Sequence, residues 1–433
     1  MDTIIVLLNR DLRVHDHPAL AAACARARRV VPLFVADPAL PPRRRAGFLA
    51  DALLDLRASL RRRGGELILR RGDPVAETMR LVDEVGAQAV WVSADVTRYA
   101  RRRERRLAAE CARRRLDFRT FPGVTVIPAD ALRPDGGDHY RVFTPYWRAW
   151  SVEQRRPIVP PPPVVRVPEG LDPGVLSLPK AEPYGVLRGG ETEGRRRMTL
   201  WLRHCLDTYA ETKDDLAGET TSRLSPYLHF GCLSPLELAN AGAASEEFVR
   251  RLCWRDFHHQ VTRAFPEIDR REYRPRGRRW NDDKDVVAAW REGRTGMPIV
   301  DAAMRQLAAE GWLHDRARLI AAAYLTRCLG VDWRIGAEHF AEHLLDADVA
   351  VNCGSWQWVA GTGNDTRPRR AFNPVRQAKR FDPDGEYVRR YVPEVGHLPR
   401  TLVHEPWKTG VIRHYPRPIT LDWDPVDQDL RDD

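Results

Sequence analysis

The chain has 433 residues, of which 43% are hydrophobic and 30% are charged, so it can build an extensive core and is not globally disordered. Its formal net charge is +10 and its pI is about 9.5, which favours polyanionic partners such as nucleic acid. No apolar run approaches a membrane span and no secretory signal pattern opens the chain, so we expect a cytoplasmic protein without membrane partners.

Strand-like and helix-like segments alternate over residues 1–127. Short aliphatic or β-branched runs, such as Thr3–Leu8 and Ala89–Val92, are separated by Ala-, Leu- and Arg-rich stretches of helical length, such as Pro18–Arg28. This alternation predicts an α/β domain with a doubly wound parallel sheet. The Gly-rich dinucleotide fingerprint does not follow the first strand. Instead that strand ends in the polar sequence Asn9–Arg13, at the position where parallel sheets bind ligands.

Proline interrupts this alternation after residue 127. Seven prolines fall within Arg155–Gly174, and such a density blocks both helices and central strands. We therefore expect residues 128–192 to form an extended connector. From residue 193 to residue 433, strand patterns largely disappear, and stretches such as Glu246–Thr262 and Ile299–Glu310 have helical periodicity. The prediction is a second, all-helical domain.

The cysteine and histidine spacings give little support to a metal centre. None of the seven cysteines forms a C-x-x-C pair, which argues against a zinc ribbon, an iron–sulfur cluster or a disulfide framework. His339, Glu342 and His343 have the H-x-x-E-H spacing of some zinc peptidases. We interpret this motif as a helix surface or core pair and expect no bound metal.

Two polar clusters could bind a cofactor. Thr221–Ser225 offers hydroxyls and a guanidinium just before a helix-like segment, which suits a diphosphate, although Ser-Pro is also an ordinary helix start. Asp346, Asp348 and Asn352 lie in an otherwise apolar context. Because buried carboxylates need partners, this cluster indicates either a heterocycle with N–H edges or a structural ion pair with an arginine such as Arg318.

Aromatic and basic residues interleave at helical spacing in two further segments. These are Trp254–Phe257 and Gly311–Leu319. Interleaving of this kind fits base stacking combined with phosphate neutralisation. Each segment taken singly fits a helix core better than a binding surface.

Four blocks in a fixed order now become recognisable: Asn9–Arg13, Thr221–Ser225, Trp290–Arg305 and Asp346–Trp358. This set resembles the photolyase/cryptochrome family, and most closely the bacterial class I cyclobutane pyrimidine dimer photolyases. The resemblance spans nearly the whole chain, and the last two blocks are long and specific. It implies a Rossmann-like antenna domain and an all-helical domain that holds FAD, which is reduced in the active state.

The resemblance also implies roles for individual residues. The expected FAD contacts are Tyr209, Thr221, Ser222, Arg223, Leu224, Ser225, Arg318, Asp346, Asp348 and Asn352. Arg318 and Asp346 would form the buried ion pair beside the flavin ring, and Asn352 would face flavin N5. An Asn there is the pattern of photolyases that use fully reduced flavin. Trp356, Trp333 and Trp290 would carry electrons from the flavin to the surface.

The substrate pocket departs from the family pattern. Trp254 would be the wall on which a flipped-out dimer stacks, and Arg255 and Arg316 would contact backbone phosphates. Arg251 replaces the usual Glu, and Asp315 and Leu319 replace the usual Asn and Met. Arg251 could donate hydrogen bonds to thymine carbonyls. The implied catalytic residues are Trp254, Arg251, Asp315 and Asn352.

The N-terminal domain is similar to those that bind 8-hydroxy-5-deazaflavin, with methenyltetrahydrofolate as the alternative antenna. The matching positions are Arg10, Asp11, Phe34, Asp37, Arg45 and Asp95. The implied function is light-dependent repair of cyclobutane pyrimidine dimers in DNA, through electron transfer from excited reduced FAD to the flipped-out dimer, by a monomer. The alternative is a cryptochrome-like blue-light photoreceptor without repair activity.

Overall fold

The computed structural model describes residues 1–38, 43–175, 187–364 and 372–422. By its internal contacts the chain divides into two compact units. The first comprises Met1–Asp207 and Ser222–Pro266, and the second comprises Thr208–Thr221 and Glu267–Asp433. By their contacts the helical segments 191–204 and 225–264 group with the unit that contains the sheet, although the sequence predicts that the helical domain begins at residue 193.

A parallel sheet of five strands lies in the described part of the first unit. The strands are β1 Thr3–Leu8, β2 Arg29–Ala36, β3 Ile68–Arg71, β4 Ala89–Ser93 and β5 Asp117–Phe121. Their order is β3-β2-β1-β4-β5, and every residue of β1 is buried. The predicted doubly wound sheet is confirmed. Because the strand order reverses at β1, the carboxyl ends of β1 and β4 lie side by side, where such sheets bind ligands.

Most other regular elements of the described chain are α-helices. They are α1 Pro18–Arg26, α2 Arg43–Arg61, α3 Pro74–Val85, α4 Arg98–Arg113, α5 Phe143–Val152, α6 Glu191–His204, α7 Tyr209–Thr212, α8 Ser225–His229, α9 Pro235–Ala241, α10 Glu246–Ala264, α11 Lys284–Arg291, α12 Pro298–Glu310, α13 Asp315–Ala323, α14 Trp333–His343, α15 Val349–Ala360, α16 Pro374–Phe381 and α17 Glu386–Tyr391. A π-helical turn, Tyr324–Cys328, continues α13. Among the described residues, no helix is both long enough and apolar enough to cross a bilayer.

The predicted connector contains a helix that the sequence analysis missed. Helix α5 buries Phe143, Tyr146 and Trp150, which recur at helical spacing on one face. Beyond α5, residues 153–175 have no helix or strand, in keeping with their prolines. This stretch contacts the sheet directly, because the carbonyl of Arg166 accepts the N–H of Val30, in β2, at 2.7 Å.

The motif Asn9–Arg13 is held by a buried guanidinium. Arg13 is almost fully buried and donates to the carbonyl oxygens of Gly231 and Gly123, each at 2.9 Å. Gly231 itself has a φ of +69°, and a Cβ there would lie 1.9 Å from the carbonyl oxygen of Arg10. Only glycine fits this position, because it supplies the left-handed backbone and leaves room for the Asn9–Arg13 loop.

In the second unit, the buried carboxylate of Asp301 organises the sequence block Trp290–Arg305. Asp301, in the first turn of α12, accepts the N–H of Thr295 at 2.7 Å and of Gly296 at 3.0 Å. The hydroxyl of Tyr415 donates to the same carboxylate at 2.6 Å. Burial raises the pKa of Asp301, against the opposing effect of these hydrogen bonds. This block therefore organises the turn before α12.

The close approach at Gly231 yields a test of the fold. Gly231→Ala should lower the free energy of unfolding by roughly 2–5 kcal/mol, because backbone strain adds to overlap with Arg10. Gly86→Ala is the matched control, since Gly86 has a φ of +59° and no atom within 4 Å of a Cβ. That variant should lose only about 1–2 kcal/mol. Equal losses in urea denaturation would contradict the argument.

Candidate functional site

The carboxylate of Asp346 is the centre of a polar cluster in the second unit. Arg318, on α13, donates to Oδ2 of Asp346 at 2.7 Å and to the carbonyl oxygen of Leu313 at 2.8 Å. The Asp346 side chain is only 3% exposed. Its other oxygen, Oδ1, has no hydrogen-bond partner among the residues that the structure describes. An unsatisfied buried acceptor is costly, so this atom is suited to an N–H donor from a ligand.

The start of α15 brings three of the predicted flavin contacts together. Asp348 caps this helix, and its Oδ1 accepts the N–H of Val351 at 3.1 Å. The N–H of Asp348 donates to the carbonyl of Asp346 at 2.7 Å, and the N–H of Asn352 donates to the carbonyl of Asp348 at 2.8 Å. The Asn352 side-chain amide donates to the carbonyl of Ala337, on α14, at 2.9 Å. Backbone hydrogen bonds thus link Asp346 to Asp348 and Asp348 to Asn352 at the start of α15.

Trp356 lies one turn further along α15 and is packed against a glycine. Its side chain is 2% exposed. A Cβ on Gly336, in α14, would lie 2.1 Å from the Cη2 atom of Trp356. The indole therefore occupies the space that any larger residue at position 336 would fill. Trp333, at the start of α14, is fully buried.

The structure does not place Trp290, one of the three tryptophans predicted to carry electrons, at the surface. Trp290 is fully buried, and its indole N–H donates to the carbonyl of Ala321 at 3.1 Å. Its ring lies 6.0 Å from that of Trp356. A residue that exchanges electrons with solvent must reach solvent, and Trp290 does not.

Trp280 is a partly exposed tryptophan that the sequence analysis missed. The next residue, Asn281, pairs with Val331, two residues before Trp333, and donates its N–H to the carbonyl of Gly330 at 2.7 Å. This pairing brings the backbone beside Trp280 close to the start of α14. The only sequence signal was its position at the end of the arginine-rich stretch 270–279.

The start of α13 carries the expected pocket residues of the second unit. His314 precedes the helix, and its Nδ1 accepts the N–H of Arg316 at 3.1 Å. Burial lowers the pKa of His314, against the opposing charges of Asp315 and Asp214. The imidazole is therefore neutral, with its proton on Nε2, and Nε2 has no partner among the described residues. The sequence predicts Asp315 as a catalytic residue, and the structure adds His314 beside it.

Arg316 is held in place but remains accessible. Its guanidinium donates to Asp214 at 2.7 Å and lies over the ring of Phe381, 4.3 Å from the ring centroid. The side chain is 23% exposed. A phosphate oxygen could therefore reach it.

Three further residues that the sequence predicts as substrate contacts lie on α10 in the first unit. Arg251, Trp254 and Arg255 share one face of this helix, at positions i, i+3 and i+4. The half-exposed Trp254 stacks on Phe143, with ring centroids 3.7 Å apart and planes at 4°. The predicted phosphate contact of Arg255 is not supported, because its side chain is 10% exposed and donates to the carbonyl of Val124 at 2.5 Å.

Asp256, next to these residues, has a structural role. Its Oδ2 accepts the backbone N–H groups of Val126 and Ile127 at 2.9 Å and the indole N–H of Trp150 at 3.0 Å. Burial still raises the pKa of this carboxyl, although the charge of Arg255 and these hydrogen bonds oppose it. Asp256 therefore joins α10 to the connector and to α5.

The expected phosphate-binding residues are divided between the units. Tyr209, the first residue of α7, and Thr221 belong to the second unit, and Ser222–Ser225 belongs to the first. Arg223 has a φ of +50°, which sharply turns the chain just before α8. The hydroxyl of Ser222 accepts the N–H of Leu224 at 3.4 Å.

Five of the six predicted antenna residues lie at or near the carboxyl ends of β1, β2 and β4, and the sixth, Arg45, lies in α2. Arg10 forms an ion pair with Asp95 at 3.2 Å, and the hydroxyl of Tyr99 donates to Asp37. Phe34 and Arg45 are buried in the same unit.

Asp11 is fully buried inside the loop after β1. Its carboxylate contacts His17 at 3.1 Å and accepts the N–H of Asn9 at 2.7 Å. Burial alone would raise the pKa of Asp11, but the charge and hydrogen bond of His17, with hydrogen bonds from Ser93 and Asn9, lower it to about 2. This carboxylate shapes the loop and does not face outwards.

Comparisons with known proteins identify the family. Residues 4–166 match the family described as DNA photolyase, and residues 248–426 match the FAD binding domain of DNA photolyase. The deoxyribodipyrimidine photo-lyase of Streptomyces griseus is 48% identical over 442 residues, which cover 97% of this chain and 96% of that protein. The chain belongs to the photolyase/cryptochrome family.

Solved structures of the family include both kinds of member. An archaeal photolyase from Sulfolobus tokodaii, solved with two FAD molecules, has a TM-score of 0.88 and 30% identity, covering 97% of this chain and 96% of that one. A cryptochrome from Synechocystis has a TM-score of 0.89 and 28% identity, with the same coverage. The flavin domain of the family and the unpartnered Oδ1 of Asp346 both fit FAD as the bound cofactor.

Proposed function

We propose that this protein repairs cyclobutane pyrimidine dimers in DNA in a light-dependent reaction, as a cytoplasmic monomer with FAD as its cofactor. The observation that carries the proposal is the buried Asp346 carboxylate, which is paired with Arg318 and keeps one oxygen open for a donor. FAD, when bound, reduced and excited by light, supplies the electron that opens the dimer.

The protein's part is to bind and orient the cofactor. Arg318 compensates the negative charge of Asp346, because an unpaired buried carboxylate would be strongly destabilising. Asp348 fixes the first turn of α15, and the bond to Ala337 holds the neutral amide of Asn352 in one orientation. Tyr209 and the residues of Thr221–Ser225 are the proposed ligands of the phosphate and ribityl groups.

Asp346→Asn tests this assignment. Asn keeps the shape of the side chain but loses the charge that faces Arg318, so we expect FAD binding to weaken by about 1–3 kcal/mol. The ratio of flavin to protein absorbance after purification measures this. Asp384→Asn is the control, since that carboxylate is 62% exposed in the same unit. Full flavin occupancy in Asp346→Asn would contradict the assignment.

We propose Trp356, Trp333 and Trp280 as the path by which electrons enter from the surface. Trp356 follows Asn352 by one helical turn, Trp333 begins the adjacent α14, and Trp280 is partly exposed. Trp290 contacts Trp356 but has no exposed edge, so it acts as packing.

Single substitutions distinguish an electron path through Trp280 from one through Trp290. Trp356→Phe and Trp280→Phe should retain FAD but lose photoreduction under blue light with an external donor, because indoles are oxidised more easily than phenyl rings. Trp290→Phe should be photoreduced like the wild type. Absorbance of oxidised flavin during illumination is the measurement. Normal photoreduction in Trp280→Phe, with loss in Trp290→Phe, would restore the original prediction.

Trp254 is the proposed stacking surface for the flipped-out dimer, and Arg251, on the same face of α10, is its proposed hydrogen-bond donor. Extrusion is cheaper for a damaged base pair, which gives selectivity. In the second unit, His314 and Asp315 are the proposed polar contacts of the lesion, and Arg316 is the proposed phosphate contact.

Repair itself is the test of the function. Chemically reduced wild-type protein under blue light should remove dimers from DNA. Trp254→Ala should bind dimer-containing DNA about 5–150-fold more weakly, because stacking is worth ~1–3 kcal/mol per base. Arg251→Ala should lower the yield of repair. No loss of dimers, with the flavin confirmed as reduced, would favour the cryptochrome-like photoreceptor.

The first unit is the proposed antenna domain. We propose 8-hydroxy-5-deazaflavin as its chromophore, with methenyltetrahydrofolate as the alternative. Arg10, Asp37 and Asp95 supply charge at the carboxyl ends of the strands, and Phe34 and Arg45 supply buried walls. Asp11 contributes by shaping the loop that carries Arg10.

A further inference from the structure

The last turns of α14 gather three groups that commonly bind metals. His339, Glu342 and His343 occupy positions i, i+3 and i+4, which share one face of a helix. Their ligand atoms all lie within 4.8 Å of one another. The sequence alone left this motif as a helix surface or core pair, and the fold makes it a compact donor set.

The backbone sets the chemistry of one of the two imidazoles. Nδ1 of His343 lies 2.9 Å from the carbonyl oxygen of His339 and therefore carries the proton. The lone pair is then on Nε2. A backbone carbonyl on the other ring nitrogen is the usual way in which a ligating histidine is oriented in metal sites.

The three side chains of the cluster differ in their exposure to solvent. His339 is 8% exposed, with its ring against that of Trp290 at 5.5 Å, whereas Glu342 is exposed and His343 is half-buried. A cation could enter past Glu342 and His343 and reach His339. Metal–ligand bonds of about 2.0–2.2 Å need donor separations of up to about 4 Å, so small rotations of the two outer side chains would close the site.

We propose that His339, Glu342 and His343 bind a borderline divalent transition-metal ion, with Zn²⁺ as the best match. Two imidazoles and one carboxylate form the ligand set of zinc sites that keep a fourth position for water. Mg²⁺ and Ca²⁺ prefer all-oxygen sites and should not compete. The site does not depend on the proposed repair function.

The location gives the ion a structural consequence. His343 is the last residue of α14, and Asp346 follows three residues later. The ion would tie His343 to His339, one turn earlier, and so restrain the end of the helix that leads into the Asp346 turn. Its charge would also lie beside the ring pair of Trp290 and Trp356, whose centroids are 6.0 Å apart.

The experiment uses the full-length protein without a histidine tag, stripped of metal and titrated with Zn²⁺ against a chromogenic chelator in excess Mg²⁺. The wild type should bind one Zn²⁺ per chain in competition with the chelator. His343→Ala should weaken binding by about tenfold or more, and Glu342→Gln should weaken it less. His339 is left intact because its ring packs against Trp290.

His397→Ala is the matched control, since His397 is an exposed histidine of the same unit outside the cluster. Zn²⁺ should raise the Tm of the wild type and of His397→Ala, but not that of His343→Ala. The proposal is overturned if the wild type binds no Zn²⁺. It is equally overturned if His343→Ala and His397→Ala bind alike, which would place the ion outside the cluster.

Discussion

The ion pair between Arg318 and Asp346 is the interaction on which the second unit's site depends. Removing a carboxylate from water costs several kcal/mol, and a charged partner with good geometry offsets that cost. Arg318 supplies the partner at 2.7 Å and is itself fixed by the carbonyl of Leu313. Because Asp346 begins the turn that Asp348 and Asn352 continue, the pair also positions the first turn of α15.

Helices α14 and α15 pack tightly against each other, and this packing fixes the positions of Trp356 and Asn352. Gly336 admits the indole of Trp356, and the amide of Asn352 crosses to the carbonyl of Ala337. The residue proposed to receive electrons and the residue proposed to face the cofactor are thus fixed by the same pair of helices. Trp290 contacts both Trp356 and His339, and so connects the histidine cluster of α14 with this pair of helices.

In the first unit, buried charged side chains hold loops in place through hydrogen bonds to the backbone. Arg13 donates to the carbonyls of Gly123 and Gly231, and Asp256 accepts two backbone N–H groups and the indole of Trp150. Both side chains satisfy backbone groups that irregular segments leave unpaired. A charged residue in a sequence motif that suggests ligand binding, such as Asp256 in Trp254–Phe257, can therefore have a structural role instead.

The sequence by itself determined the strands, most of the helices, the parallel sheet and the polar turn from Asp346 to Asn352. These depend on periodicity, capping and composition, which act over a few residues. Only the tertiary structure decided that Trp290 is buried, that Trp280 is partly exposed and that the Arg255 guanidinium donates to a backbone carbonyl. It also decided that residues 222–266 group with the unit that contains the sheet. Burial and contacts of this kind depend on residues distant in sequence, which local patterns do not encode.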